Sequence, residues 1–176
     1  MTEDVLAFWF ADPARWWRKD PAFDAEIRTR FLELHQAITR GEHEDWRATP
    51  RGTLAYVVVL DQFSRNMFRD SAGMFASDAQ AAAAARVAVD RGDDHALTDT
   101  ERMFLYMPLM HSENLADQDR CVALFQALGR SNELRYAEQH RDIIRRFGRF
   151  PHRNQLLGRA STREEREFLS QSGSSF

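Results

Sequence analysis

The stretch Thr49-Pro50-Arg51-Gly52-Thr53-Leu54-Ala55-Tyr56-Val57-Val58-Val59-Leu60-Asp61-Gln62-Phe63-Ser64-Arg65-Asn66 decides the fold class. Thr49 before Pro50 marks a helix start: the hydroxyl can accept from a first-turn amide, and proline fits where no amide partner is needed. At helical spacing Tyr56, Val59, Leu60 and Phe63 form one apolar stripe, and Leu54, Val57 and Val58 a second. A helix apolar on nearly every side belongs in the interior of a larger body. Val57-Val58-Val59 is the one β-branched triplet, and its flanks are helical. No run of four to eight residues alternates apolar and polar between turn signals, so no strand is predicted.

Outward from this helix the punctuation repeats. Asp20-Pro21 opens a helix carrying Phe23, Ile27, Phe31, Leu34 and Ile38, stopped at Gly41. Asp78 is read as the cap of an alanine-rich helix ending near Gly92. Thr98 with Glu101, and Thr162 with Glu165, are capping-box patterns. Helices over 114–128 and 132–147 end at Gly129 and Gly148. The expectation is an all-α fold of seven to nine helices, a single domain over residues 1–169 with a polar, flexible tail at 170–176. Stacked helical hairpins are compatible with this pattern, although no 34-residue repeat is present.

The 176 residues include only eight Gly and five Pro, too few for a turn-rich β chain. The formal charge of −3 offers no global basic field for nucleic acid. Of the 24 basic residues all but Lys19 are Arg, a bias that a GC-rich genome explains without function. Single Cys121 allows no intrachain disulfide, the acidic Glu3-Asp4 start lacks a signal-peptide pattern, and the apolar run at Val5–Phe10 is too short to span a bilayer. A cytoplasmic protein without a membrane role is expected.

Function is sought where charge enters apolar helices. Asp61 shares a face with Arg65, one turn on, with Gln62 and Asn66 nearby. A carboxylate there needs a partner, because removing an ion from water costs several kcal/mol even after relaxation. Met103–Met110 is apolar all round and is followed by His111-Ser112-Glu113. Pro108 predicts a kink or helix end. In an unbroken helix His111 and Glu113 would point about 200° apart, so a shared site requires the chain to leave helix. His140 lies on an inward face, and the connection beyond Gly148 gathers Arg149, His152, Arg153 and Asn154. His35, His43 and His95 sit in polar surroundings and receive no role, and Trp9, Trp16 and Trp17 fit either core or an exposed patch.

No zinc, EF-hand, phosphate-loop, dinucleotide or nucleophile-elbow motif occurs, and Cys121 has no cationic setting to activate it. No metal site is assigned, and the sequence names no cofactor or oligomeric state. Three blocks carry a resemblance: residues 60–69, residues 101–113, and residues 147–154 leading to Leu157-Gly-Arg159. Together they resemble the bacterial domain-of-unknown-function family 924 across about Trp9 to Leu169. The resemblance implies an all-helical, tetratricopeptide-like superhelix and no known reaction. It places recurrent polar positions on Asp61, Gln62, Arg65, Asn66, Glu101, His111, Ser112, Glu113, Gln118, Arg149, His152, Arg153 and Asn154; Ser64 stands where the family usually shows proline.

Two readings follow. In the first the blocks meet in a buried polar pocket, with Asp61, His111, Glu113 and His152 as acid–base groups. Arg65, Asn66, Ser112, Arg149, Arg153 and Asn154 would then hold a small anionic molecule or peptide in a hydrolase-like site. In the second the buried charges are structural, Asp61–Arg65 foremost, and the protein is a non-catalytic module binding a peptide or protein along a concave face.

Overall fold

The computed structural model describes residues 1–171, 173 and 174; residues 172, 175 and 176, within the tail expected to fray, lie outside the described residues. Eight α-helices account for the architecture, and no strand occurs among the described residues. They are α1 (Thr2–Phe10), α2 (Pro21–Thr39), α3 (50–67), α4 (Asp78–Arg91), α5 (Asp99–His111), α6 (Leu115–Leu128), α7 (Ser131–Phe147) and α8 (Arg163–Leu169). From α4 to α7 each helix packs on the next, while α1 and α2 pack on α3. The interior formed by α3 and α5 is therefore covered from both sides.

The helix starts follow local chemistry. Asp20 Oδ1 accepts from Ala22 N and Phe23 N at 3.1 Å each. Both capping boxes form as read, at Thr98–Glu101 and Thr162–Glu165. Gly148 closes α7 at φ +68°, where its lack of a Cβ removes the steric penalty. Gly52 answers a different need: a Cβ there would lie 2.1 Å from the Trp46 carbonyl oxygen. The N-terminal helix α1, which the sequence reading left unassigned, brings Trp9 into the core at 1% exposure.

Two helices depart from expectation. First, α5 runs through Pro108 to His111, and only at Ser112 does the backbone turn extended (φ −72°, ψ 139°). Second, α3 widens into a π-helical turn over Val58–Phe63, so a uniform 3.6-residue projection does not describe it. The side-chain hydroxyls of Ser64 and Ser77 both donate to the Leu60 carbonyl within this turn, each at 2.7 Å. His35 Nε2 lies 2.7 Å from Ser64 Oγ. His35 is thus a core residue, correcting its assignment to polar surroundings: burial pushes its imidazole down to about 4.

Aromatic packing ties α1, α3 and α5 together. Phe104 is fully buried, with Trp9 at 5.4 Å and Trp16 at 4.7 Å, both edge-on. Trp17, at 64% exposure, stacks over it from outside, so the three tryptophans divide between core and surface. A smaller cluster of Ile143, Ile144 and Phe150, covered by Phe147 and Phe168, anchors the C-terminal connection. Phe104→Ala should lower stability by about 3–5 kcal/mol, because its neighbours cannot collapse into the vacated volume. The check is a urea unfolding curve whose midpoint falls with its slope unchanged.

Candidate functional site

Asp61 is completely buried on the π-helical turn of α3. Its Oδ1 lies 2.7 Å from His111 Nδ1 and 3.0 Å from Arg65 Nη1, and its Oδ2 accepts from Gln62 Nε2 at 2.6 Å. Burial alone would raise this carboxyl, but Arg65 and then His111 outweigh it and hold Asp61 below its ordinary value. An ionised carboxylate can only accept hydrogen bonds, so a neutral His111 carries its proton on Nδ1. Neutrality is favoured: burial first, then the Arg65 charge, push the imidazole below its usual range against the pull of Asp61. The Nε2 lone pair is left as the basic atom. The helix end at His111 puts this ring at the boundary between α5 and the extended segment that carries Glu113.

The charges continue as a chain. Arg65 Nη1 and Nη2 donate to Asp78 Oδ1 and Oδ2 at 3.0 and 3.1 Å, and Arg65 Nη1 also donates to the Asp61 carbonyl at 2.9 Å. Arg153 shares Asp78 through Nη1 at 3.1 Å and gives Nη2 to the His111 carbonyl at 2.9 Å. Its guanidinium carbon lies 4.5 Å from the Phe75 ring and 4.5 Å from the Phe150 ring. Burial lowers Arg153 to about 10, which leaves it charged at neutral pH. Asp78 had been read as a helix cap. Ser77 holds that position instead, and the Asp78 carboxylate bridges two arginines.

A cleft of about 490 Å³ opens on this chain, lined on its polar side by Asp78, His111, Ser112, Glu113 and Arg153. Glu113 accepts from Phe150 N at 2.8 Å and from Arg159 Nη1 and Nη2 at 2.7 and 2.9 Å, which pins the connection after α7 to the end of α5. Ser112 Oγ donates to Asp117 Oδ2 at 2.6 Å, and Gln118 Nε2 donates to the carbonyls of Met110 and Ser112. These contacts hold the chain where it leaves helix, so the His111 ring is positioned from both sides.

The structure thus brings Asp61, Arg65, His111, Ser112, Glu113 and Arg153 together and separates others from them. Asn66 donates to Asp24 Oδ1, which Arg69 also engages, and does not line the cleft. Arg149 is held bidentately by Glu165 at 2.6 and 2.8 Å, and Asn154 joins that cluster through Ser161 and Glu165. Asn66, Arg149 and Asn154 therefore lie outside the cleft lining, each engaged elsewhere. His152 lies outside the cleft lining beside Phe150, with ring centroids 5.6 Å apart, and burial lowers it to about 4. His140 donates Nδ1 to the Tyr136 carbonyl at 2.7 Å, 6.5 Å from the His111 ring. Residues missed from sequence are Asp78, Arg159 and Phe75. Only Arg159 carried a signal, standing at the end of the third block. Among the described residues no group of three or more His, Cys, Asp or Glu is placed to hold a metal ion, and no helix is long and apolar enough to cross a membrane.

A family model described as bacterial protein of unknown function, DUF924, matches residues 5–173. Among solved structures, a protein of unknown function from Agrobacterium tumefaciens is similar at 44% sequence identity and a TM-score of 0.91, covering 96% of each chain. No curated protein matches this chain.

The buried imidazoles make stability pH-dependent with a definite sign. Burial lowers His35 to about 4, His140 to about 3 and His152 to about 4, from an ordinary 6.5. Below pH 6.5 the unfolded chain takes up protons that the folded one refuses, so stability is full above that pH and falls toward pH 4. The lowered Asp61 acts with the same sign at still lower pH. Melting temperatures measured from pH 7.5 to 4.5, a range set by these values, should decline steadily, and His140→Asn should flatten the slope. A flat profile over that range would contradict the assignment of neutral, buried histidines.

Proposed function

We propose, for a chain that belongs to the bacterial family of unknown function DUF924, that the cleft binds a small anionic ligand and acts on it by general-base chemistry, hydrolysis being the reaction class. One observation carries the reading: the His111 imidazole, tied through Nδ1 to buried Asp61, lines the cleft with Nε2 as its basic nitrogen. A neutral imidazole whose ring is oriented by a carboxylate is an arrangement that general-base catalysis uses. In the hydrolytic step Nε2 takes a proton from water as the water oxygen bonds to the ligand's acyl carbon. The proton is returned to the leaving oxygen as the carbon–oxygen bond breaks, and Asp61 stays ionised throughout. Arg153 supplies the positive charge at the wall, Ser112 a hydroxyl, and Glu113 sits beside them, neutralised by Arg159.

A second reading is favoured by the pairing itself. Arg65, Arg153 and Arg159 all meet carboxylates of this chain, as they would in a clamp that only locks helices, leaving a partner-binding module. Reactivity at His111 separates the two. Diethyl pyrocarbonate at pH 7, with the modified residue located by mass spectrometry, should acylate His111 and spare core His35. Hydrolysis of p-nitrophenyl acetate should fall about a hundredfold in His111→Gln, the scale of a lost general base. An unreactive His111, or a variant as fast as the parent, would install the structural reading.

A further inference from the structure

The polar wall is only half of the cleft. Its other wall is Ala72, Phe75, Ala76, Ala79 and Leu157, contributed by the turn before α4, the first turn of α4 and the connection after Arg153. The three alanines are exposed in the cleft mouth and Phe75 is half-buried, so a continuous apolar strip faces His111 and Arg153 across the opening. A cleft of about 490 Å³ falls within the roughly 300–1,000 Å³ usual for small-molecule sites, where apolar walls carry a few placed polar groups.

Arg153 adds an independent observation. It is 6% exposed, and its Nη1 and Nη2 are engaged, but Nε is buried with no hydrogen-bond partner among the described residues. A buried donor left unmatched is unfavourable, so an arriving acceptor relieves an existing penalty. The net charge decides which acceptor fits. Arg65, Arg153 and Arg159 are matched by Asp61, Asp78 and Glu113, three against three. Asp78 and Glu113 themselves line the cleft. A neutral cluster with two carboxylates at its mouth repels a phosphate dianion more than a singly charged acid.

We propose that the ligand class is a short-chain carboxylate or its acyl derivative, the acid end at Arg153 and the apolar chain along Phe75, Ala76, Ala79 and Leu157. This rests on the cleft being the functional site, as proposed above, and adds what occupies it.

The test titrates hexanoate, acetate and inorganic phosphate separately into isotope-labelled protein and follows methyl and backbone signals by NMR. Hexanoate should shift Ala76, Ala79 and Leu157 and bind at least about tenfold tighter than acetate, a fraction of what its additional methylenes contribute on full burial. Ala79→Trp, filling the apolar wall, should abolish that advantage. Arg153→Lys, which keeps the charge but has no Nε, should weaken both carboxylates about tenfold, the size of one lost charge-assisted hydrogen bond. The inference is overturned if hexanoate binds no tighter than acetate, if phosphate is preferred, or if Arg153→Lys binds both acids unchanged. Should that happen while His111 still reacts with diethyl pyrocarbonate, the general-base reading survives. Loss of both removes the site altogether.

Discussion

An ionised carboxylate with no contact to water is the constraint around which this molecule is arranged. Asp61 has 0% exposure, and a charge so placed is tolerated only when its lone pairs are met at close range. The partners come from separate parts of the chain: Gln62 and Arg65 from α3 itself, and His111 from the end of α5. Arg65 then requires Asp78 on α4, and Asp78 requires Arg153 from the connection after α7. Four segments are registered by one buried negative charge. Buried ion pairs of this kind are weak evidence of stability, since well-packed apolar replacements are often neutral or stabilising, whereas removing one partner alone is costly.

The backbone of α3 is adapted to the same end. A π turn inserts extra backbone into a helix and disturbs its hydrogen-bond ladder, and such turns recur at functional sites. Here two groups left at the turn are met by side chains. The Leu60 carbonyl takes the Ser64 and Ser77 hydroxyls, and the Asp61 carbonyl takes Arg65. His35 closes the arrangement from α2. Ser64 stands where the sequence resemblance leads one to look for proline. A proline could not supply the hydroxyl that binds the Leu60 carbonyl here.

What could be read from the amino-acid string follows from the range of each interaction. Helix starts at Asp20, Thr49, Thr98, Asn114 and Thr162 were legible because a cap and its amide lie within three residues. Asp61 and Arg65 were legible as a pair because one helical turn separates them. Asp78 was not: an acid just before an alanine-rich run looks like a helix cap, and its partner Arg153 is 75 residues away. The same distance effect displaced Arg149 and Asn154, whose true partner Glu165 was already accounted for as a capping residue. The π turn had no local signature, since the apolar residues around it satisfy a helical pattern either way.

The buried clamp and the proposed site use the same residues, so what separates them must be a feature that one role needs and the other does not. Locking α3 to α5 requires a donor to Asp61, which an amide side chain could supply as well as an imidazole. It does not require the donor to sit where a helix ends, at the wall of a cleft, with a second nitrogen left over. Nor does a clamp require Arg153 to keep an unmatched Nε when Asp78 and Glu113 stand nearby. Glu113 could have neutralised Arg153, yet it is turned to Arg159 and the Phe150 amide. Unmatched hydrogen-bonding capacity in a residue that lines a cleft is unfavourable for a scaffold and useful to a binding site, which is why the cleft, rather than the ion pairs, is the place to look for function.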